Sequence, residues 1–421
     1  MLQKSLVNTA LWFLLQLIFR INCQLIRERY LHTTTFADNK LYIMGGTSSG
    51  SNLRDFIYLD FSESFNTRHL TWNRISSDFL PENTGSISVK GGKDNDTIFF
   101  FAGRSPNENS RLVYEFGPQT NSWRISPLQL NITINTGSTG VVDNKGRMYS
   151  WAGYYPPRNM LILDTIEFNW KFGNIISAPT LEAWYGASLL PDQMIIYIGG
   201  YQDGAINTLD QVYIYNTIKD TWSNITTSGN IPSPRMGLSA VLGLDGRRII
   251  IFGGENEYDF IPANESLYVL NLVNFEWYIP TISGKIPESR ISHKGDVIGE
   301  YMVITFGRGN YNSTTESHIL LLNISNNEEY YWTDNFEPSS PPLLPPPSKS
   351  LPPGISSTEF PPPKHSVSSG NGSVTINRSI ISIIVVSLIG IALLLFGLCK
   401  WNKSRKSRVN TSSIPHGCGI N

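Results

Sequence analysis

Four short runs are apolar at every position: LYIM (41–44), IFFF (98–101), IIYI (195–198) and IIIF (249–252). Continuous apolarity over so few residues predicts strands buried on both faces. Each run ends in a pair of small residues. The pairs are Gly45-Gly46, Ala102-Gly103, Gly199-Gly200 and Gly253-Gly254, and the same feature is read at Ala152-Gly153 and Gly307-Arg308. The second members lie 57, 50, 47, 54 and 54 residues apart. A more polar strand precedes each run, as in 30–36 and 238–242, joined to it by turn residues such as Asp38-Asn39, Asn144-Lys145-Gly146 and Asp245-Gly246. A third strand carries Tyr114, Tyr213 or Tyr268, with Leu161 at the same place in the third repeat. A fourth carries Trp72, Trp123, Trp170, Trp222, Trp277 or Trp332. The fixed nine-residue offset from tyrosine to tryptophan predicts that these rings pack together between blades, as core.

A four-strand unit repeating about every fifty residues predicts a propeller blade. Six units over 25–335 predict an all-β, six-bladed ring, with no obvious exchange of strands between the ends to close it. The order of apolar run, Gly-Gly, tyrosine and tryptophan resembles the kelch repeat, and the domain resembles kelch β-propellers, including that of galactose oxidase. The pattern departs from kelch at Ala102, Ala152 and Arg308, and the first and sixth repeats lack the tyrosine.

The flanking segments give the chain an address. Residues 1–23 read as a signal peptide: Lys4, then ten apolar residues at 10–19, too few to span a bilayer. Residues 380–398 run nineteen residues without a charge, about 28 Å as a helix, which predicts one transmembrane span. Arg378 precedes this run, and Lys400, Lys403, Arg405, Lys406 and Arg408 follow it, which puts the basic tail 400–421 in the cytoplasm. The expected topology is single-pass type I, with the propeller extracellular or lumenal. Eleven prolines in 337–379 predict an extended Pro/Ser-rich stalk. Of the three cysteines, Cys23, Cys399 and Cys418, none falls within the repeats, so the propeller is expected to fold without disulfides.

A net charge of −1 excludes a nucleic-acid partner, which needs a basic face. The galactose-oxidase resemblance implies copper held by tyrosines and histidines, with a tyrosine–cysteine crosslink. No cysteine is available for that crosslink, and His32, His69, His293, His318 and His365 show no metal-ligand spacing. His32 and His293 occupy matching places in RYLH and RISH, which predicts structural roles. No cofactor, metal or catalytic set is expected. The alternative is a secretory enzyme scaffold without copper-radical chemistry.

The main reading is a recognition or adhesion module that takes a protein or glycan ligand through loops on one face. Strand alternation places the second-to-third and fourth-to-first connections on that face. The candidate ligand-binding residues are Glu255, Glu257, Tyr258, Asp259 and Phe260, acids beside aromatics in one long loop. Sequons at Asn95, Asn131, Asn224, Asn264, Asn312, Asn323 and Asn371 are candidate glycosylation sites, with Asn377 too near the bilayer. Asn131, Asn224, Asn264 and Asn312 are expected on the binding face.

Overall fold

The computed structural model describes residues 26–101, 112–129, 137–152, 159–202, 204–257, 259–309 and 318–339. The signal, membrane and tail segments and the stalk from residue 340 on, with Asn131, Tyr258, Asn312 and Asn371, lie outside the described residues. Within them no helix is long and apolar enough to cross a membrane.

Six sheets form in sequence order, each with four antiparallel strands and those of blades 5 and 6 with a fifth, parallel strand from the preceding linker, so each repeat makes one blade. Their first strands are Thr33–Ala37, Ile87–Gly91, Gly140–Val142, Gly186–Leu189, Ser239–Leu242 and Lys294–Ile298. Each of these packs against the next, and the last packs against the first, so they enclose an axis. The apolar runs form second strands such as Lys40–Met44 and Met194–Ile198, buried at all but their first residue. Asp38 and Asn39 both take positive φ, the turn the hairpin needs. Among the described residues the structure is all-β apart from the single-turn 3-10 helix Ala263–Glu265.

Trp222, Trp277 and Trp332 are buried while Trp72, Trp123 and Trp170 are half-buried at the edge of the core, and their neighbours differ from expectation. Trp222 meets Trp151, Tyr197 and Tyr215 at 5.0, 5.2 and 5.0 Å. The strand register opposes Trp222 to Tyr215, seven residues before it, whereas Tyr213, nine before, opposes Asn224. Trp123 likewise faces Phe116 rather than Tyr114. The cross-strand partner is set by the turn, and the nine-residue offset falls two positions beyond it.

The small-residue pair also shifts in blade 6. Gly45, Gly199 and Gly253 take φ of 62, 63 and 70°, and Gly46, Gly200 and Gly254 take 96, 96 and 105°. In blade 6 these conformations belong to Phe306 (45°) and Gly307 (101°), so the pair is Phe306-Gly307 and not Gly307-Arg308. The second glycine's N–H reaches the next blade: Gly46 bonds Asn83 O, Gly200 bonds Arg235 O, Gly254 bonds Arg290 O and Gly307 bonds Arg29 O, at 2.9–3.0 Å. A Cβ on Gly254 would stand 3.0 Å from Met236 O at an unfavourable φ. Gly254→Ala is therefore expected to lower stability by about 1–3 kcal/mol, read from a denaturant midpoint.

The ring closes at two levels. Near the axis, Leu31 N bonds Ser292 O at 2.9 Å, and His32 Nε2 lies 2.7 Å from Thr305 Oγ1. At the rim, a strand absent from the sequence reading, Asn335–Phe336, follows the last blade and pairs antiparallel with Phe65–Asn66 of the first. Phe336 packs on Phe61, Phe65 and Tyr301 at 4.8, 5.0 and 5.1 Å. The linkers Ser228–Gly229 and Thr281–Gly284 join blades in another way, each pairing parallel with the outermost strand of the blade that follows.

Candidate functional site

Around the mouth of the axis one residue per blade sits in left-handed backbone: Leu31, Gly85, Gly137, Trp184, Gly237 and Ser292. They hydrogen-bond from blade to blade: Gly85 N to Leu31 O, Leu31 N to Ser292 O, Ser292 N to Gly237 O, Gly237 N to Trp184 O and Trp184 N to Gly137 O. Glycine meets this φ without strain, whereas a tryptophan there is unusual. Trp184 is partly exposed at the mouth and lies edge-on to Tyr201 at 6.0 Å.

The residue after each second glycine bridges to the residue just before the left-handed one: Thr47 to Tyr30, Glu255 to Met236 and Arg308 to Ile291. Tyr201 occupies the same place in blade 4, paired with Ala183. Tyr201, Glu255 and Arg308 therefore form an arc over blades 4, 5 and 6. They border a cleft of about 730 Å³ that also takes in Met236, Glu257, Asp259 and Phe260. The Arg308 guanidinium lies 3.6 Å from Glu255 and over the rings of Tyr30 and Phe260, at 5.7 and 5.9 Å. Burial pushes the Glu255 carboxyl up, and Arg308 partly offsets this.

The candidate loop thus divides into parts. Glu255 and Phe260 bridge to each other and shape the cleft wall. Asp259 closes its own turn: its N–H bonds Asn256 Oδ1 at 2.9 Å and its Oδ1 accepts from Phe260 N at 2.7 Å. Glu257 is exposed. Reading the loop in isolation missed Arg308, Tyr30, Tyr201 and Trp184. The signal for Tyr201 and Arg308 was present, since both follow the glycine at which the repeats align.

Of the sequons described, Asn264 is exposed on the 3-10 turn beside this face. Asn224 instead lies in the outer strand Thr221–Thr226, with Nδ2 3.2 Å from Gln211 Oε1. Asn95 is exposed in a first-to-second-strand turn on the other face. Asn323 ends the third strand of blade 6 and accepts from Ser325 N at 3.0 Å.

His32 and His293 are buried between blades. His293 Nε2 lies 2.9 Å from Ser239 Oγ, and its ring is edge-on to Phe252 at 5.5 Å. Burial, with Arg290 and Lys294 nearby, pushes its pKa down to about 3, and burial likewise holds His32 well below the usual range. A depressed pKa gives stability that is complete above the unfolded value and lost as pH falls towards the folded one. At about pH 4.5 His293 alone is expected to remove roughly 2–3 kcal/mol, and His293→Gln should flatten that part of the stability–pH curve. Among the described residues no three His, Cys, Asp or Glu side chains are placed to hold one metal ion.

The chain matches two family models: the KLHDC2/KLHL20/DRC7 Kelch-repeats domain over residues 186–343 and the Kelch motif over residues 28–77. Acyl-CoA-binding domain-containing protein 4 of Arabidopsis thaliana is 24% identical over 70% of this chain and 37% of its own length. Kelch domain-containing protein 3 of Bos taurus is 27% identical over 66% of this chain and 78% of its own. The chain thus spans well under half of the first of these relatives. A solved structure described as "Structure of YjhT" superposes with a TM-score of 0.56 at 14% identity, covering 73% of this chain and 97% of that one, a likeness of fold alone. The chain thus carries kelch repeats, matched at residues 28–77 and 186–343, on a six-bladed β-propeller.

Proposed function

We propose that the propeller is a recognition module that takes a protein ligand in the cleft between Tyr201, Glu255, Phe260 and Arg308. Kelch propellers commonly bind proteins, and fold alone does not name the partner. The observation that carries the reading is the arc of post-glycine residues, which lines the cleft with rings and opposed charges. Arg308 already neutralises Glu255, while Glu257 stands free of the ion pair at the rim. The fitting ligand is a segment with a basic side chain for Glu257 and an apolar or aromatic one for Phe260 and Tyr201.

The setting of the module belongs to the same proposal: a single-pass type I glycoprotein whose propeller is extracellular or lumenal. It is supported by the charge-free run 380–398, the basic residues after it and the exposed Asn95 and Asn264. Endoglycosidase treatment of protein from secretory-competent cells should lower its apparent mass; an unchanged mass contradicts this setting.

The binding test is an array of basic–aromatic peptides probed with the full chain in detergent. Glu257→Lys and Phe260→Ser should each weaken the bound peptides about tenfold, the equivalent of 1.4 kcal/mol. Arg308→Ala, which leaves Glu255 unneutralised, should bind them at least as well as the parent. If all three variants match the parent on every peptide bound, the cleft is not the site.

A further inference from the structure

Neighbouring inner strands interlock by a rule. Thr33 and Thr35 of blade 1 straddle Ser88 of blade 2, with Oγ–Oγ distances of 2.9 and 2.6 Å. In the same way Ile87 and Val89 of blade 2 enclose Gly140 of blade 3, where a Cβ would meet them at 2.3 and 3.2 Å. The equivalent places in blade 6 hold Lys294 and Asp296, on the strand that packs against the first strand of blade 1. Thr34 Oγ1 donates to Asp296 Oδ2 at 2.7 Å.

Interlocking accounts for Asp296 but not for Lys294. Elsewhere the lysine's position holds Thr33, Ile87, Thr139, Gly186 or Ser239. No hydrogen bond or ion pair to another described residue engages the Lys294 ammonium. An ammonium that opens onto a confined channel, with no acceptor from the protein, is available to an anion. Its side chain lines both the narrow cavity at the mouth and the wider one, about 490 Å³, that continues along the axis. Both Lys294 and Asp296 are half-buried, so the channel reaches them. Facing walls carry the hydroxyl residues Ser138, Thr139 and Ser188. Burial pushes Lys294 down and Asp296 up to about 6, and each opposes the shift of the other.

We propose that the axial channel binds a small hydroxycarboxylate, whose carboxylate pairs with the Lys294 ammonium and whose hydroxyl donates to the Asp296 carboxylate. A carboxylate supplies the partner the ammonium lacks, and a hydroxyl satisfies the Asp296 oxygen that Thr34 leaves open. The surrounding hydroxyls suit a polar ligand of a few carbons. This site is separate from the loop cleft, and its test does not depend on that cleft.

The experiment is calorimetric titration of the full chain in detergent with glycerate, acetate and glycerol, repeated on Lys294→Met and Asp296→Ala. Glycerate should bind about tenfold more tightly than acetate, and glycerol not detectably. Lys294→Met should lose both anions while still melting cooperatively as a folded propeller. Asp296→Ala should hold glycerate no better than acetate. The proposal is overturned if the parent chain binds neither anion at millimolar concentration, if acetate binds as well as glycerate, or if Lys294→Met binds glycerate unchanged. Should Asp296→Ala fail to fold, the acetate-to-glycerate ratio in the parent chain still decides the role of Asp296.

Discussion

Trp222→Ala is expected to lower the stability of the propeller by about 3–5 kcal/mol. The indole is buried among Trp151 of the preceding blade and Tyr197 and Tyr215 of its own, so truncation opens a cavity at a blade interface. It also removes the 2.9 Å bond from Nε1 to Asn174 O, which ties the linker to the blade. The linker carbonyl would then have to find water or move. Val273→Ala, at a 75% exposed turn position of blade 5, should stay within about 0.5 kcal/mol. Urea midpoints of the two variants measured side by side check this, and equal shifts would contradict the assignment of the tryptophan to the core.

Phe336→Ala is expected to cost a similar amount, about 3–5 kcal/mol, although the residue lies at the very end of the folded ring. Its ring is buried against Phe61 and Phe65 of blade 1 and Tyr301 of blade 6, so it joins the two blades that sequence separates most. Around it, Arg68 forms a 2.7 Å ion pair with Asp334, and Thr67 N bonds Asp334 O at 2.7 Å. The ion pair is exposed and contributes little by itself. Arg68→Ala should therefore shift the thermal midpoint much less than Phe336→Ala. Should the arginine variant prove the more damaging, the apolar packing is not what holds the ends together.

Much of the fold was legible because its signals are local. The runs 41–44, 98–101, 195–198 and 249–252 are apolar throughout, and the second strands they form are buried on both faces. Asp38-Asn39 is a turn in sequence and in structure. Three features were not legible in this way. Phe306 takes a conformation that glycine holds in three other blades, so only the backbone angles, not the residue types, reveal that Phe306-Gly307 is the pair. The ring contact of Trp222 depends on register, which favours Tyr215 over the more regular Tyr213. The closing strand is two residues long and finds its partner across 269 positions of sequence, beyond any periodicity. The site fared likewise. Its loop stood out by composition, but Arg308 looked like a defect of the repeat until the pair moved by one residue. Arg308 then falls in line with Tyr201 and Glu255, and the cleft follows.

The axial channel exists only if blade 6 meets blade 1, and the same closure brings Tyr30 beside Arg308, so ring closure is the claim on which most depends. Asn66 and Asn335 are directly paired across the closing strands, and their side chains touch, with Nδ2 2.7 Å from Oδ1. The cysteines of the chain lie at positions 23, 399 and 418, away from these strands. Asn66→Cys combined with Asn335→Cys places two thiols at a separation that a disulfide spans. The doubly substituted protein should form this bond on mild oxidation, and a protease fingerprint should join the two peptides. Because the bond closes a loop of about 270 residues, the oxidised form should be more stable than the reduced one by roughly 5–6 kcal/mol. Failure of the two cysteines to pair in the folded, monomeric protein would contradict a ring closed by its last strand.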